Sequence, residues 1–390
     1  MKARFDLIVI GAGPAGGAAA FTAARAGLTV ALVDRHAFPR DKLCGGGFTG
    51  RSHQYFCEIF GTPPEPGQIE THHSVSFHAH GTDLGRIDGI PPLHLTMRRV
   101  LDTEICARAL AAGAADFTGR PVARLDPEAG QVVLEDGAEL TAPLVLGADG
   151  VNSMVARALF GQAFDRGRIG FGLEVEAPAA PDNAEAPVRI DFGAADWGYG
   201  WHFPKTCSST IGVGGVLARN ADMKAMMRSY LTLLGQDPDQ KAKGQFLPFG
   251  DFRRVPGRGR TLLAGDAAGL VDPITGEGIA YAMKSGQLAA LAAAAALREG
   301  RPETALARYR RSLRPMHRAL RQARAIRLMI FARPFRGSFV AAFRRSGQLR
   351  HLYLRLLAGE IEYPEMARAT LWRFPAFLWR SIRPGNRSGA

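Results

Sequence analysis

Cysteine is scarce in this chain. Only four occur in 390 residues, Cys44, Cys57, Cys106 and Cys207, with no Cys-x-x-Cys pair and no Cys/His spacing of a metal site. Neither a disulfide framework nor a cysteine-ligated iron–sulfur cluster is expected, and no metal ligand is assigned. Long apolar runs are missing too. The most apolar one, 288–297, is too short to span a bilayer, and the start, Met1-Lys2-Ala3-Arg4, leaves no room for a signal peptide before the first apolar segment. A cytoplasmic protein is expected. There is no internal repeat, and low complexity is confined to the alanine run 289–296, which fits a buried helix. Acidic residues are nearly absent from one stretch: residues 301–390 hold 20 Arg, no Lys and 4 acidic residues. That tail carries +16 of a net +13, so the first 300 residues carry −3. Arg311, Arg314, Arg318 and Arg321 would share a helix face if one helix runs through Pro315, and Phe331, Phe335, Phe339, Phe343, Trp372, Phe374, Phe377 and Trp379 are interleaved with arginine. Such segments suit an anionic membrane surface, which would make the protein peripheral on the cytoplasmic face. The other reading is a solvated arginine face on a helical cap over the core. No nucleic-acid-binding module is present, and no nucleic-acid partner is expected.

What the chain has is glycine at telling positions. With 46% hydrophobic and 22% charged residues it can bury a large core in one or two domains. An apolar run from Phe5 to Ile10 leads into Gly11-Ala12-Gly13-Pro14-Ala15-Gly16 and then an alanine-rich helical stretch, the strand, turn and helix context of a dinucleotide site. The glycines permit a tight turn and close backbone approach, and the helix start stabilises a pyrophosphate. The next strand, Thr29 to Val33, ends in Asp34, whose carboxylate can accept hydrogen bonds from a ribose; Arg35 is placed to cover an adenine. Far downstream, Thr261 to Gly269 is a second apolar strand with a Gly265-Asp266 turn, followed by Pro273-Ile274-Thr275-Gly276-Glu277-Gly278-Ile279 and a helix. Two such segments imply FAD rather than NAD. A positive helix terminus beside the flavin N1 and O2 would stabilise the anionic reduced ring.

The expected fold is α/β: a Rossmann-like FAD-binding domain assembled from 1–60, 95–160 and 252–298, with an inserted antiparallel-sheet substrate domain from 61–94 and 161–251. A basic, aromatic helical region, 299–390, follows. Helices are expected over 98–112 and 221–234, and strands over 170–177, 188–192, 198–203 and 209–217. On the third of these strands, alternation would turn Trp197, Tyr199, Trp201 and Phe203 to one face as an aromatic wall, and Gly198, Gly200 and His202 to the other. By spacing alone these aromatics could equally pack the sheet against the helix at 221–234.

Between the two glycine motifs, Leu144 to Gly147 leads into Ala148-Asp149-Gly150, and with this third motif the chain resembles the FAD oxidoreductases of the aromatic-hydroxylase type. The resemblance implies that Asp266 bonds the ribityl chain, that the helix start at Gly276 to Ile279 faces the flavin pyrimidine, and that Arg98 contacts the cofactor. A helix-start salt bridge is the other reading of Arg98. Asp149, Gly45, Gly46 and Val122 are further expected cofactor contacts. Two segments narrow the resemblance: Pro39-Arg40-Asp41-Lys42-Leu43-Cys44-Gly45-Gly46-Gly47 and Tyr199-Gly200-Trp201-His202-Phe203-Pro204-Lys205. They are similar to the Pro-x-x-Lys-x-Cys-Gly-Gly-Gly loop and Tyr-x-Trp-x-Phe-Pro-Lys strand of the geranylgeranyl reductase family, over roughly residues 5–290. That family implies hydride transfer from reduced flavin N5 to an isolated double bond of a geranylgeranyl or other polyprenyl chain, with a proton donor in a water-free pocket. Cys44, Tyr199 and His202 are the donor candidates, His202 the weakest because alternation turns it away. Cys44 could instead be a redox partner of the ring or simply a small residue. NADPH or reduced ferredoxin would supply electrons. An FAD monooxygenase acting on an aromatic or quinone ring, and a membrane-associated electron-transfer flavoprotein, stay open; oligomeric state is not readable.

Overall fold

The computed structural model describes residues 2–371, and the aromatic residues Trp372, Phe374, Phe377 and Trp379 lie outside the described residues. Three sheets organise the chain. The first has six strands in the order Gly257–Arg258, Thr261–Leu263, Leu144–Gly147, Leu7–Ile10, Val30–Val33, Ala115–Phe117, all parallel except the edge pair at 257–263. Its central strands read as unbroken apolar runs because helices cover both faces, as parallel sheets require. The helices Pro14–Arg25 and Ile279–Arg298 pack on it and on each other. Their small residues permit this closeness: a Cβ on Gly286 would sit 2.0 Å from the Ala15 carbonyl oxygen, and one on Gly17 would strike Ile105 of the helix Arg98–Ala111. A small sheet of Lys2–Arg4, Glu139–Thr141, Gln131–Leu134 and Val122–Asp126 flanks this layer.

The third sheet has eight strands, in the order Lys243–Leu247, Gly170–Pro178, Ser208–Val216, Gly198–Pro204, Val188–Phe192, Glu70–Ala79, Thr82–Leu95 and Gly47–Phe48. It is antiparallel but for one pair, Val188–Phe192 beside Glu70–Ala79, which run parallel. That exception is where the hairpin at 70–95 meets the strands at 170–247; segments joined through a distant stretch of chain need not alternate in direction. The helix Met223–Leu233 packs its Met227, Tyr230 and Leu231 against this sheet.

The tail is helical: Ala305–Ser312, Arg314–Phe331, Arg333–Arg345, Gly347–Leu357 and Tyr363–Leu371. No single helix runs through Pro315. A new one begins at Arg314 with the proline in its first turn, where the missing N–H costs nothing, so Arg311 is separated from Arg314, Arg318 and Arg321. The tail aromatics divide as well. Phe331 and Phe343 are buried, and Phe343 packs edge-on against Phe77 of the large sheet at 5.0 Å, whereas Phe335 is 53% exposed. Fully burying one such ring contributes about 1.5–3 kcal/mol, so the described tail is first of all a second lid of core over this sheet.

Candidate active site

One cavity of about 580 Å³ runs from the first glycine turn, between the two large sheets, to the tail helix Gly347–Leu357. Its first compartment is built by the turn at 11–16. Gly11 sits at φ +101°, and a Cβ there would lie 2.4 Å from the Ala148 carbonyl oxygen; one on Gly16 would lie 1.6 Å from that of Gly11. These two glycines let backbone pass backbone. Gly13 is different: a Cβ there would have nothing nearer than Arg40 Nη2 at 3.6 Å and Arg98 Nη2 at 3.7 Å. The helix that starts at Pro14 has no side-chain cap and no acidic residue in its first turn, so its leading N–H groups point into the cavity unopposed.

Charge matches that geometry. The buried Asp102 accepts from Arg98 Nε and Nη2 at 2.7 Å each and pairs with Arg40 Nη2 at 3.1 Å, two guanidinium groups on one carboxylate. The Nε and Nη1 atoms of Arg40 are buried without a hydrogen-bond partner. A surplus positive charge and orphaned donors beside an open helix start fit a pyrophosphate. Arg98 makes the i, i+4 salt bridge and also lines the cavity, where the expected cofactor contact would fall. Asp34 accepts from the Ala12 and His36 N–H groups at 2.8 and 2.9 Å, which pins the glycine turn to the strand end, and it lines the cavity with Arg35 and Val122.

The second compartment lies where the loop 38–47, the turn 265–268 and the segment 271–279 converge. Asp266, Cys44, Gly45, Gly46, Gly276, Gly278 and Ile279 all line it. Gly46, at φ +84°, packs so closely that a Cβ would meet the Thr96 carbonyl oxygen at 2.2 Å. Burial pushes the Asp266 carboxyl upward while Lys42 and Arg98 pull it down; burial and Arg98 together lower the Lys42 ammonium. The helix Ile279–Arg298 begins at Gly278 without a side-chain cap, leaving its N–H groups free for an electron-rich ring edge. Asp149 lines the cavity, but its carboxylate is engaged by Ser153 Oγ and by the Met154 and Val155 N–H groups, so it caps the helix Met154–Phe160. The shape, the orphaned donors and the uncapped helix starts fit FAD from pyrophosphate to ring.

Beyond this second compartment the cavity becomes apolar. Tyr199, Trp201 and Phe203 stand side by side, with centroid separations of 5.9 and 6.5 Å. Glycines opposite make room for the indole: a Cβ on Gly212 would come within 2.3 Å of it. Trp197 does not join this wall. It precedes the strand with φ +54°, which breaks the alternation, and stacks instead near Phe331, Arg219 and Arg327 outside the cavity. His202 is also outside, on the opposite face, with its Nε2 at 3.0 Å from Ser209 Oγ; it is not placed to donate a proton into the site. Tyr199 lines the cavity, but its hydroxyl donates to the Thr275 carbonyl oxygen at 2.5 Å, and burial pushes its pKa up. Gly16, against the Gly11 backbone, and Gly265, against Ala15 and Ala282, serve packing behind the cavity wall rather than facing it.

Several lining residues carry no sequence motif. Val75, Phe77, Leu93, Val188 and Ile190 of the large sheet, with Tyr353, Leu354 and Leu357 of the tail, form an apolar compartment next to Trp201. Arg40 and Lys42 sit inside the loop already singled out, and their charge could have marked them. Glu174 lines the cavity beside Cys44, whose N–H donates to its Oε1 at 2.8 Å. Glu277, buried beside the second compartment, bonds Thr49 and pairs with Arg51, and burial pushes its carboxyl up to about 7.

Comparison with known proteins agrees with this geometry. Residues 6–140 match the family described as FAD dependent oxidoreductase, and 252–324 match an FAD binding domain. A menaquinone reductase of Mycolicibacterium smegmatis is 32% identical over 315 residues, 74% of this chain and 76% of that one. The geranylgeranyl diphosphate reductase of Rhodobacter capsulatus is 31% identical over 315 residues, 77% of each chain. Among solved structures, a geranylgeranyl bacteriochlorophyll reductase-like protein of Thermoplasma acidophilum superposes with a TM-score of 0.76 at 20% identity, covering 95% of this chain and 99% of that one, and shares the fold. With its flavin motifs, its Cys-Gly-Gly-Gly loop and these relatives, the chain belongs to the geranylgeranyl reductase family of FAD-dependent oxidoreductases.

Proposed function

We propose that this protein saturates isolated double bonds in geranylgeranyl or other polyprenyl chains. The observation that carries the reading is the single cavity that passes from an anion site at Gly13 to an apolar compartment of aliphatic side chains and aromatic rings. A polyprenyl chain offers only CH contacts, at about 0.8 kcal/mol for each buried CH2, and needs such a compartment to be held. The segments 1–60, 95–160 and 252–298 would hold the cofactor, 61–94 and 161–251 the substrate side, and 299–390 the helical cover.

Bound FAD, once reduced, supplies a hydride. The chain's own part is to exclude water, orient the alkene and bring a proton. Trp201 and Phe203 shape the wall against which the chain lies; Tyr199 holds the Thr275 carbonyl and so fixes the loop that leads to the helix start at Gly278. Cys44 stands at the junction of both compartments. An unactivated alkene has no carbonyl to take up charge, so the proton must arrive with or before the hydride, inside a dry site. NADPH or reduced ferredoxin is the proposed electron source, distinguished by mixing each with the oxidised protein and following flavin bleaching.

A peripheral position at an anionic membrane surface is part of the proposal. Among the described residues no helix is long and apolar enough to cross a membrane. Arg314, Arg318, Arg321 and Arg324 are exposed on one helix, and Leu328 and Phe335 project nearby. Salt-sensitive co-sedimentation with phosphatidylglycerol vesicles supports this; equal recovery with neutral vesicles sinks it.

The name of the mycolicibacterial relative motivates one competitor, reduction of a quinone ring. Dithionite-reduced protein mixed anaerobically with geranylgeranyl diphosphate, a prenyl ether lipid or menaquinone separates the two by mass spectrometry. A quinol gains two mass units and loses them in air; a saturated prenyl bond keeps them. Retained mass in any arm identifies the substrate class.

A further inference from the structure

Two carboxylates project from one face of the strand Gly170–Pro178, Glu174 and Glu176, two residues and therefore ~7 Å apart. Their surroundings differ. Glu176 pairs with Lys205 Nζ at 2.8 Å and accepts from Thr210 at 2.7 Å and from Ser208, which together hold it below the usual carboxylate range. Glu174 is 9% exposed, and among the described residues its one hydrogen-bond donor is the Cys44 N–H. Burial pushes its carboxyl up to about 7; the Cys44 N–H opposes this, the charge of Glu176 adds to it, and Lys205 and Lys42 act against it from a distance. Across the sheet its register partners are Gly212, which brings no side chain, and Lys243, which is exposed. Adjacent carboxyls driven apart in this way are the usual arrangement of an acid beside a permanent anion.

The other candidates for the proton are committed elsewhere. The Tyr199 hydroxyl donates to a backbone carbonyl, and His202 faces away from the cavity. Cys44 remains, and the loop that carries it hangs from Glu174.

We propose that Glu174 is the acid of this site: its carboxyl holds the proton consumed in each reduction and releases it into the cavity beside Cys44. This rests on the prenyl-reductase reading. In each step the alkene π bond breaks, one carbon receives the hydride of the reduced cofactor and the other the Glu174 proton. The cofactor ends oxidised by two electrons, and the Glu174 carboxylate is reprotonated from water. Lys205, the last residue of the aromatic strand motif, acts as a positioning residue, because by neutralising Glu176 it leaves Glu174 without a cation in contact.

Glu174→Gln keeps an oxygen for the Cys44 N–H and removes the proton, so FAD content is expected to match the unmodified protein. Two readouts test the role. Infrared titration of the FAD-loaded protein, taken as the difference between the unmodified protein and the Glu174→Gln variant, should show a buried carboxyl band that disappears with a midpoint near pH 7, the Glu277 carboxyl being common to both and cancelling. Prenyl reduction should slow above pH 7 in the unmodified protein, and the variant should be about 100-fold slower with no such slowing. Glu174→Asp, which retains a carboxyl, should retain the pH limb, as should Cys44→Ser; Glu174→Asp also serves if the glutamine variant does not fold. A difference spectrum without such a band, or a variant with unchanged rate and pH profile, overturns the assignment. If the unmodified protein saturates no prenyl substrate, the proposal falls together with the reading beneath it; a normal rate with no band in the difference titration sinks the Glu174 role alone.

Discussion

Arg40 and Glu174 make opposite demands on their surroundings. Arg40 leaves buried donors unpartnered, and a pyrophosphate would satisfy them at about 1.5–3 kcal/mol for a charge-assisted bond. Arg40→Met is therefore expected to weaken FAD binding by about 10–100-fold, more at low salt than at high, as read by flavin fluorescence during titration of the apoprotein. Unchanged affinity would remove Arg40 from the anion site. Glu174 bears on stability as well as on chemistry. Its carboxyl is pushed up to about 7 from an ordinary 4.5, so the folded protein binds the proton more tightly than the unfolded chain does. That contribution is complete below about pH 4.5 and is lost as pH rises through 7, up to ~3 kcal/mol. Glu174→Gln, which cannot ionise, should gain in melting temperature relative to the unmodified protein between pH 5 and pH 8. A difference that stays constant over that range contradicts the burial argument.

Among elements, the sheet strands that carry no motif line the apolar compartment. Val188 and Ile190 lie on a strand that faces the cavity with one side, so a larger side chain there shortens the channel without touching the cofactor. Ile190→Trp should retain FAD and lose activity on long prenyl chains more than on short ones, measured as the ratio of rates for geranylgeranyl and geranyl diphosphates. Equal loss on both would place the chain elsewhere. This channel was not legible in the sequence, because alternating Val and Ile on a strand look the same whether they face a packed core or a cavity. The helix Arg98–Ala111 and the strands at 170–216 were legible from periodicity and ended within one or two residues of expectation. The glycine turns were legible because each imposes a backbone requirement, as Gly11 does at φ +101°. Trp197 misled for the converse reason: alternation predicts a face only inside a strand, and a left-handed residue before the strand resets it. Asp149 carries a family motif, and its carboxylate also meets the start of the helix Met154–Phe160, a local role that is legible in an Asp followed by Ser153 at a helix start.

Across the whole molecule, the basic tail and the flavin layer are joined through the buried Arg51, which pairs with a buried carboxylate on one side and a half-exposed one on the other. Arg51 pairs with Glu277 at 3.4 Å and Glu362 at 2.7 Å and donates to the Leu356 carbonyl oxygen, and Tyr363 donates to Asp272 at 2.7 Å. The start of the helix Ile279–Arg298 and the helices that close the apolar compartment thus share one network. Removing one partner strands the rest: Arg51→Ala is expected to cost about 3–5 kcal/mol in denaturant unfolding and to loosen FAD retention. A loss below 1 kcal/mol would show the tail to be independent of the cofactor layer. Prenyl reduction requires that this closed assembly bring one alkene to one reduced flavin. The most direct measurement is an anaerobic single turnover: stoichiometrically reduced protein mixed with geranylgeranyl diphosphate, with flavin absorbance followed and the product weighed after exposure to air. The account predicts one double bond saturated for each flavin reoxidised, with the gain of two mass units retained. Flavin that stays reduced with prenyl substrates, or is reoxidised by a quinone whose tail is unchanged, would contradict it.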